Sequence, residues 1–381
     1  MTRTCPLGDA WFAERAADAP AAARVDGREV ELADALEAAA AILGAARLPL
    51  VCGLGQTDCE SQRAAVALAE AVGAVIDPVG VGGAASQAVG HSTATFGDIR
   101  DRAELVVVWR ADPVSSNPRL LPRLRLDRAA RRANRALVAV DARRTATAEE
   151  ADEFIELPAE LEFEALWALR ALVRDVPLDR DLAGRLPLDS LGGLAARLRE
   201  TGYGAVLHGP GAYANGVALL ALVRDLAPVA HVVALALREE GNARGAEDVL
   251  AWQTGYPEAV SFARGHPRAR PREFSAVAML ERGETDAALI VGFDALRHLP
   301  PRAADGLRRI PTIVLDPRAT ETAAAARVAF ATAPAGVRRD GTAHRMDGVP
   351  VTLRAPLPAE RAGEGEVLAA IAARVTGDEG T

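Results

Sequence analysis

Two stretches of this chain repeat one another at a fixed spacing, and that repeat constrains the fold more than any single motif. Asp141 pairs with Asp316, Arg143 with Arg318, Thr145 with Thr320 and Thr147 with Thr322, always 175 positions apart. Upstream, VVVWRADP ending at Pro113 matches LIVGFDAL ending at Leu296, and Gly53-Leu54-Gly55 matches Gly209-Pro210-Gly211. Three matches in the same order imply an internal duplication. Short apolar runs such as Leu48 to Gly53, Leu105 to Trp109 and Ala136 to Asp141 alternate with helical patterns. That alternation predicts βαβ units and buried parallel strands. The expected fold is therefore α/β, with two related Rossmann-like parallel-sheet domains in a pseudo-twofold relation. Their boundaries fall at 48–158 and 159–334. A lead-in covers 1–47, and a C-terminal segment, 335–381, packs back onto the body.

The reading of individual elements is coarser. A hairpin turns at Asp26-Gly27. Asp58 starts a helix to about Val72, and Ala74 to Pro78 is a strand. Val79 to Gly90 reads as a glycine loop and His91 to Asp101 as a polar turn. An Arg-rich helix runs from Asn117-Pro118 to about Ala133. Glu239 to Pro271 is polar, with few apolar periods.

Composition removes several classes of function. The chain has 381 residues and a formal net charge of −8, and every one of its 44 basic residues is arginine. Without lysine there is neither a pyridoxal Schiff base nor a P-loop. The acidic balance and the lack of a dense basic stripe argue against nucleic acid. No apolar run approaches about 18 residues, and the N-terminus lacks the apolar core of a secretion signal, so a cytoplasmic protein is expected. Cys5, Cys52 and Cys59 form no CxxC and no cluster. They can build neither an iron–sulfur site nor a structural zinc site, and they fit a reduced compartment. The six histidines lack metal-ligand spacing, and no G-x-S-x-G elbow is present.

Open α/β sheets bind ligands in loops that leave the carboxyl ends of their strands. The glycines Gly53, Gly55, Gly80, Gly82, Gly83, Gly209 and Gly211 lie at such ends. Neither G-x-G turn completes G-x-G-x-x-G, because position 58 is Asp and position 214 is Ala. The loop Val79 to Gly90 contains no Cys, His, Asp, Glu, Lys or Arg. It has the position of a site without its chemistry. His208 ends a strand, where a hydrogen-bonded structural role is the simplest one.

Over most of its length the chain resembles the B subunit of formylmethanofuran dehydrogenase, a relative of the molybdopterin oxidoreductases. The resemblance rests on Cys5-Pro-Leu-Gly8-Asp9-Ala-Trp, Asp26-Gly-Arg, Asp98-Ile-Arg-Asp-Arg-Ala-Glu-Leu105, Asp112-Pro113 with Pro118-Arg119, Trp252-Gln-Thr-Gly-Tyr-Pro257 and Arg345-Met-Asp-Gly-Val-Pro350. It implies two α/β domains built to hold two pyranopterin dinucleotides. The family pattern also has a four-cysteine cluster motif, of which only Cys5 stands here. Its catalytic form carries a Cys-His pair where this loop reads VGVGGAAS, and Ser86 is the one side-chain oxygen near the loop's centre. These departures imply no catalytic residues, no molybdenum, tungsten or iron–sulfur cofactor, and glycine turns that are vestigial. The branch resembled is the B subunit of the bacterial formyltransferase/hydrolase complex. There it acts as a scaffold for amidohydrolase-like and formyltransferase subunits in tetrahydromethanopterin-linked C1 oxidation of methylotrophs. Two alternatives remain open: a catalytic molybdenum or tungsten subunit, and a free-standing α/β protein that binds a nucleotide or pterin.

Overall fold

A computed structural model describes residues 5–17, 21–79, 82–179, 184–238 and 240–377. In chain order the strands are β1 (Ala23–Val25), β2 (Arg28–Glu29), β3 (Pro49–Gly53), β4 (Val75–Asp77), β5 (Leu105–Trp109), β6 (Ala136–Asp141), β7 (Glu153–Glu156), β8 (Gly204–His208) and β9 (Val232–Ala236). They continue with β10 (Val260–Ser261), β11 (Arg268–Ala269), β12 (Ala287–Val291), β13 (Thr312–Leu315), β14 (Val328–Phe330), β15 (Gly341–His344) and β16 (Pro350–Leu353). One compact unit takes the chain up to residue 79 and again from 240 onward; we call it the split unit. The other, the inserted unit, takes 82–238.

The split unit holds a sheet in the order β11-β10-β4-β3-β12-β13-β14-β1-β2, and the inserted unit a sheet in the order β7-β6-β5-β8-β9. The runs β4-β3-β12-β13-β14 and β9-β8-β5-β6-β7 are parallel throughout and match strand for strand. The expected boundary at 158/159 is therefore corrected. The repeat is present, but each sheet joins the front of one repeat to the back of the other. β3 and β4 pair with the later β12–β14, while β5–β7 pair with the later β8 and β9. A duplicated sequence fixes which strands are alike. It leaves open which copies pair, because equivalent strands present the same apolar faces.

Hydrogen bonds confirm the match and refine its register. Asp112 accepts from the Thr147 hydroxyl at 2.6 Å and from its amide at 2.9 Å. Asp294 accepts from Thr322 in the same way, at 2.7 and 3.0 Å. Thr145 and Thr320 cap the following helices by accepting from the amides of Ala148 and Ala323. Asp112 is thus equivalent to Asp294, which shifts the expected Pro113–Leu296 alignment by one residue. The glycine turns shift too. The amides of Leu54 and Gly209 donate to the equivalent carbonyls of Val291 and Trp109, so Leu54, not Gly53, corresponds to Gly209.

Both faces of the split-unit sheet are covered, as buried parallel strands require. Val51, Ile76, Leu289 and Ile313 pack with Leu36, Leu68, Val249 and Leu368 of the helices Leu32–Ala45, Cys59–Ala71, Ala243–Thr254 and Glu364–Thr376. Leu50, Ile290 and Val314 pack with Met279 and Leu307 on the opposite side. Each such side chain contributes about 1.5–3 kcal/mol by burial. In the inserted unit Val107, Val138 and Val206 pack with Leu166, Leu198 and Leu222. Among the described residues no helix is long and apolar enough to cross a membrane.

Several local expectations are corrected. Residues 91–101 are not all turn, because Thr95 and Asp98 form a capping box that starts the helix Phe96–Arg102. Of the expected Arg-rich helix only Leu120–Leu124 is helical, ended by Arg125 in the left-handed region. The polar stretch 239–271 contains the helix Ala243–Thr254. Among its buried residues Ala243, Ala246, Val249 and Leu250 follow a helical period.

Candidate functional site

The carboxyl end of β4 leads to the segment that resembles a metal-binding loop. Asp77, the last residue of β4, is buried, and burial pushes its carboxyl above the usual range. Backbone N–H groups of Ala276, at 2.7 Å, Val79 and Ala259 act against that shift. Val79 follows at φ 56, a strained conformation for a β-branched residue. Gly80 lies outside the described residues. Gly82, at φ 80, caps a helix, Gly83–Val89, so the expected loop is helical from residue 83. Ala84 and Ala85 face inward, and Ala85 belongs to the core of the inserted unit. A Cβ at Gly216 would sit 3.2 Å from that of Ala85, so only small residues allow this approach. Ser86 is half-buried within the helix. The segment presents no thiolate or imidazole.

The turn after β3 is filled by protein. Gly53 has φ 100, and a side chain there would collide with the carbonyl of Val291. A Cβ at Gly55 would fall on the carboxylate of Glu240. The Asn242 amide donates to the Gly55 carbonyl at 2.8 Å. The side chain of Gln62 donates to Leu54 O at 2.9 Å and Asn242 O at 3.2 Å. A carboxylate packed on the glycine does not fit an approaching phosphate, so this turn offers no cradle for a nucleotide.

The equivalent turn after β8 differs. Gly209 is fixed by a close approach to the Arg110 carbonyl, whereas Gly211 is exposed, and a Cβ there would meet nothing within 4 Å. Arg110 itself is in the left-handed region, at φ 50. Its guanidinium donates to Pro158 O at 2.8 Å and lies 3.6 Å from Glu162 and 3.9 Å from Asp141. Glu162 also accepts from Trp109 Nε1 at 2.9 Å and from Asn215 at 2.8 Å. His208 sits 3.1 Å through Nδ1 from the Gly209 carbonyl. Burial pushes His208 down to about 4, which keeps the ring neutral. Sequence reasoning missed Glu162, Arg110 and Glu240, since their partners lie tens to hundreds of residues away.

Among the described residues no group of three or more His, Cys, Asp or Glu could hold a metal ion. Cys5 is half-buried, while Cys52 and Cys59 are buried with their thiols pushed up by desolvation. Of the glycines singled out in the sequence, the fold places Gly53 and Gly55 at one turn, Gly82 and Gly83 at a helix start, and Gly209 and Gly211 at the other turn.

No family model matches the chain. The B subunit of the tungsten-containing formylmethanofuran dehydrogenase 2 of Methanocaldococcus jannaschii is 34% identical over 345 residues, which is 86% of this chain and 79% of that protein. Its counterpart in Methanococcus maripaludis is 29% identical over 350 residues, covering 86% and 80%. The B subunit of the formyltransferase/hydrolase complex Fhc of Methylorubrum extorquens is 29% identical over 286 residues, covering 70% and 74%. Among solved structures, the M. extorquens FhcABCD complex with methylofuran contains a chain that matches with a TM-score of 0.77 and 27% identity, covering 94% of this chain and 99% of that one. Acetylene hydratase from Pelobacter acetylenicus shares the fold alone, with a TM-score of 0.61 at 14% identity over 92% of this chain and 59% of its own.

Proposed function

The chain belongs to the family of formylmethanofuran dehydrogenase B subunits, and from that membership we propose that it is a non-catalytic scaffold subunit of a formyltransferase/hydrolase-type complex. One observation carries the reading. The segment 82–89 is a small-residue helix packed into the core, without a thiolate, imidazole or carboxylate to ligate molybdenum or tungsten, and its one hydroxyl, Ser86, is half-buried within the helix. In this role the chain carries no redox cofactor. It docks amidohydrolase-like and formyltransferase subunits in the cytoplasm, in C1 oxidation of the methylotroph type. Two measurements test the reading. Elemental analysis of the natively purified complex is expected to give neither molybdenum nor tungsten; near one metal per chain rejects the redox-dead assignment. Deletion of the subunit is expected to collapse assembly and formyl transfer together; an intact, active complex without it rejects the scaffold role.

A second reading, retention of a nucleotide by the inserted unit alone, is favoured by the open Gly211 turn. Mass spectrometry of small molecules released from the denatured native protein separates the two.

A further inference from the structure

We propose that the split unit carries a binding site for a small oxyanion, a carboxylate or phosphate group, in the cavity where Arg15, Arg338 and Arg361 converge. The inference stands apart from the scaffold reading. The cavity measures about 250 Å³, and its other walls include Thr332, Pro317 and Pro334. It opens beyond the carboxyl ends of β13 and β14, whereas the strand order reverses between β3 and β12. The site therefore lies to one side of that reversal, although Arg15 reaches Gln56 of the turn after β3.

Arg15 carries the argument. The residue is only 4% exposed, and a buried charge is costly unless firmly paired. A guanidinium has five N–H donors. Among the described residues Arg15 finds only long contacts: Trp11 O at 3.4 Å, Gln56 Oε1 at 3.4 Å and the Glu14 carboxylate at 3.7 Å. Gln56 Oε1 already accepts from Trp11 Nε1 at 3.1 Å. The Trp11 ring, 4.2 Å away, adds a cation–π contact, so two long bonds serve only part of the five N–H donors. The neighbouring carboxylates are committed elsewhere. Asp316 is held by Arg318 at 2.9 and 2.8 Å, and Glu364 accepts from the Thr332 hydroxyl at 2.8 Å. Burial, and next Arg318, push Arg15 down to about 10. An anion in the cavity would offset both shifts and supply acceptors for the remaining N–H donors.

Arg338 completes a second side. It donates to Pro358 O at 3.2 Å and Ala16 O at 3.3 Å, and Glu360 stands 3.7 Å away, mostly in solvent. Guanidinium forks recognise carboxylate and phosphate in pairs of parallel bonds. The proline walls suit a short apolar body, and the volume lies below the roughly 300–1,000 Å³ of drug-sized sites. The ligand class is thus a small anionic metabolite with one charged group held inside.

The test is calorimetric titration of the full chain, in its native complex, with inorganic phosphate and separately with butyrate. We expect saturable one-site binding of one of them, weakening as salt is added. Arg338→Gln and Arg361→Gln should each lower the affinity at least tenfold, and the exposed Arg47→Gln should not. Whichever anion binds identifies the phosphate or carboxylate source. Arg15→Gln is avoided as the decisive variant because the residue also braces Gln56. Absence of saturable binding by both anions, or binding unmoved by both rim variants, overturns the site.

Discussion

The turn after β3 and the turn after β8 occupy equivalent places in two matching sheets, yet one is packed shut and the other faces solvent. In the split unit a carboxylate, Glu240, lies on Gly55. In the inserted unit Gly211 is exposed, and a side chain there would meet nothing within 4 Å. The backbone frame that both share is set by local bonds such as Asp112–Thr147 and Asp294–Thr322. The difference is set by what the rest of the chain lays over each frame. A glycine at a strand end therefore reports that backbone or side chain approaches closely. It does not report that the approaching partner is a ligand.

The largest effect should come from Gly53→Ala. The new Cβ meets the Val291 carbonyl at a φ of 100, and we expect a loss of about 3–5 kcal/mol in chemical denaturation. Gly211→Ala, in open space, should change stability by no more than about 0.5 kcal/mol. Equal costs would break the contrast between a closed and an open turn.

The shared frame can be probed next. Asp294→Ala strands the buried Thr322 hydroxyl and amide and should cost about 3 kcal/mol, while Asp112→Ala, where water can enter, should cost about 1.5 kcal/mol. A reversed order would show that burial of the carboxylate does not set the cost of losing the brace.

Two buried groups then give the units opposite responses to pH. Burial, with added repulsion from Asp58 and Asp316, raises Glu364 from its ordinary 4.5 to about 7. Between those values the unfolded chain loses its proton while the folded chain keeps it. The split unit therefore loses stability as pH rises through that window. Glu364→Gln, which preserves an acceptor for Thr332, should remove the slope and add about 1–3 kcal/mol at pH 8. His208 acts in the other sense, lowered from 6.5 to about 4, so the inserted unit loses stability as pH falls through that range. His208→Gln should flatten the acid limb by about 1 kcal/mol, since the ring keeps some contact with solvent. Denaturation midpoints of single variants across pH 4–8 check both signs.

Much of the frame was legible in the sequence because its signals are local and chemical. Thr145 and Thr320 stand where a hydroxyl must cap a helix, and Asp141 and Asp316 end equivalent strands, so the spacing of 175 survived as a readable trace. The exchange of strands between repeats left no such trace, since β3 and β8 are equally apolar and the choice between partners is tertiary. The helix Ala243–Thr254 was hidden because its buried face mixes Val249 and Leu250 with Gly245 and the polar Glu247 and Thr254. At the site, the missing thiolate could be read from Val79 to Ser86 directly. The plug on Gly55 could not, because Glu240 lies 185 residues along the chain, at a distance no local pattern encodes.

The pairing of β3 with β12 also sets a schedule for the nascent chain. Gly53 must wait for Ala287, the start of its neighbour, and 234 residues separate them (287 − 53). At about 5–20 residues per second the ribosome needs roughly 10–50 s to close that gap. The inserted unit, contiguous in sequence, can finish its sheet within the interval. Meanwhile the apolar β3 and β4 emerge without their partner strands. Those two strands are the segment for which a chaperone has most to offer during synthesis, and a stall between residues 239 and 287 would leave one unit complete and the other with exposed strand edges.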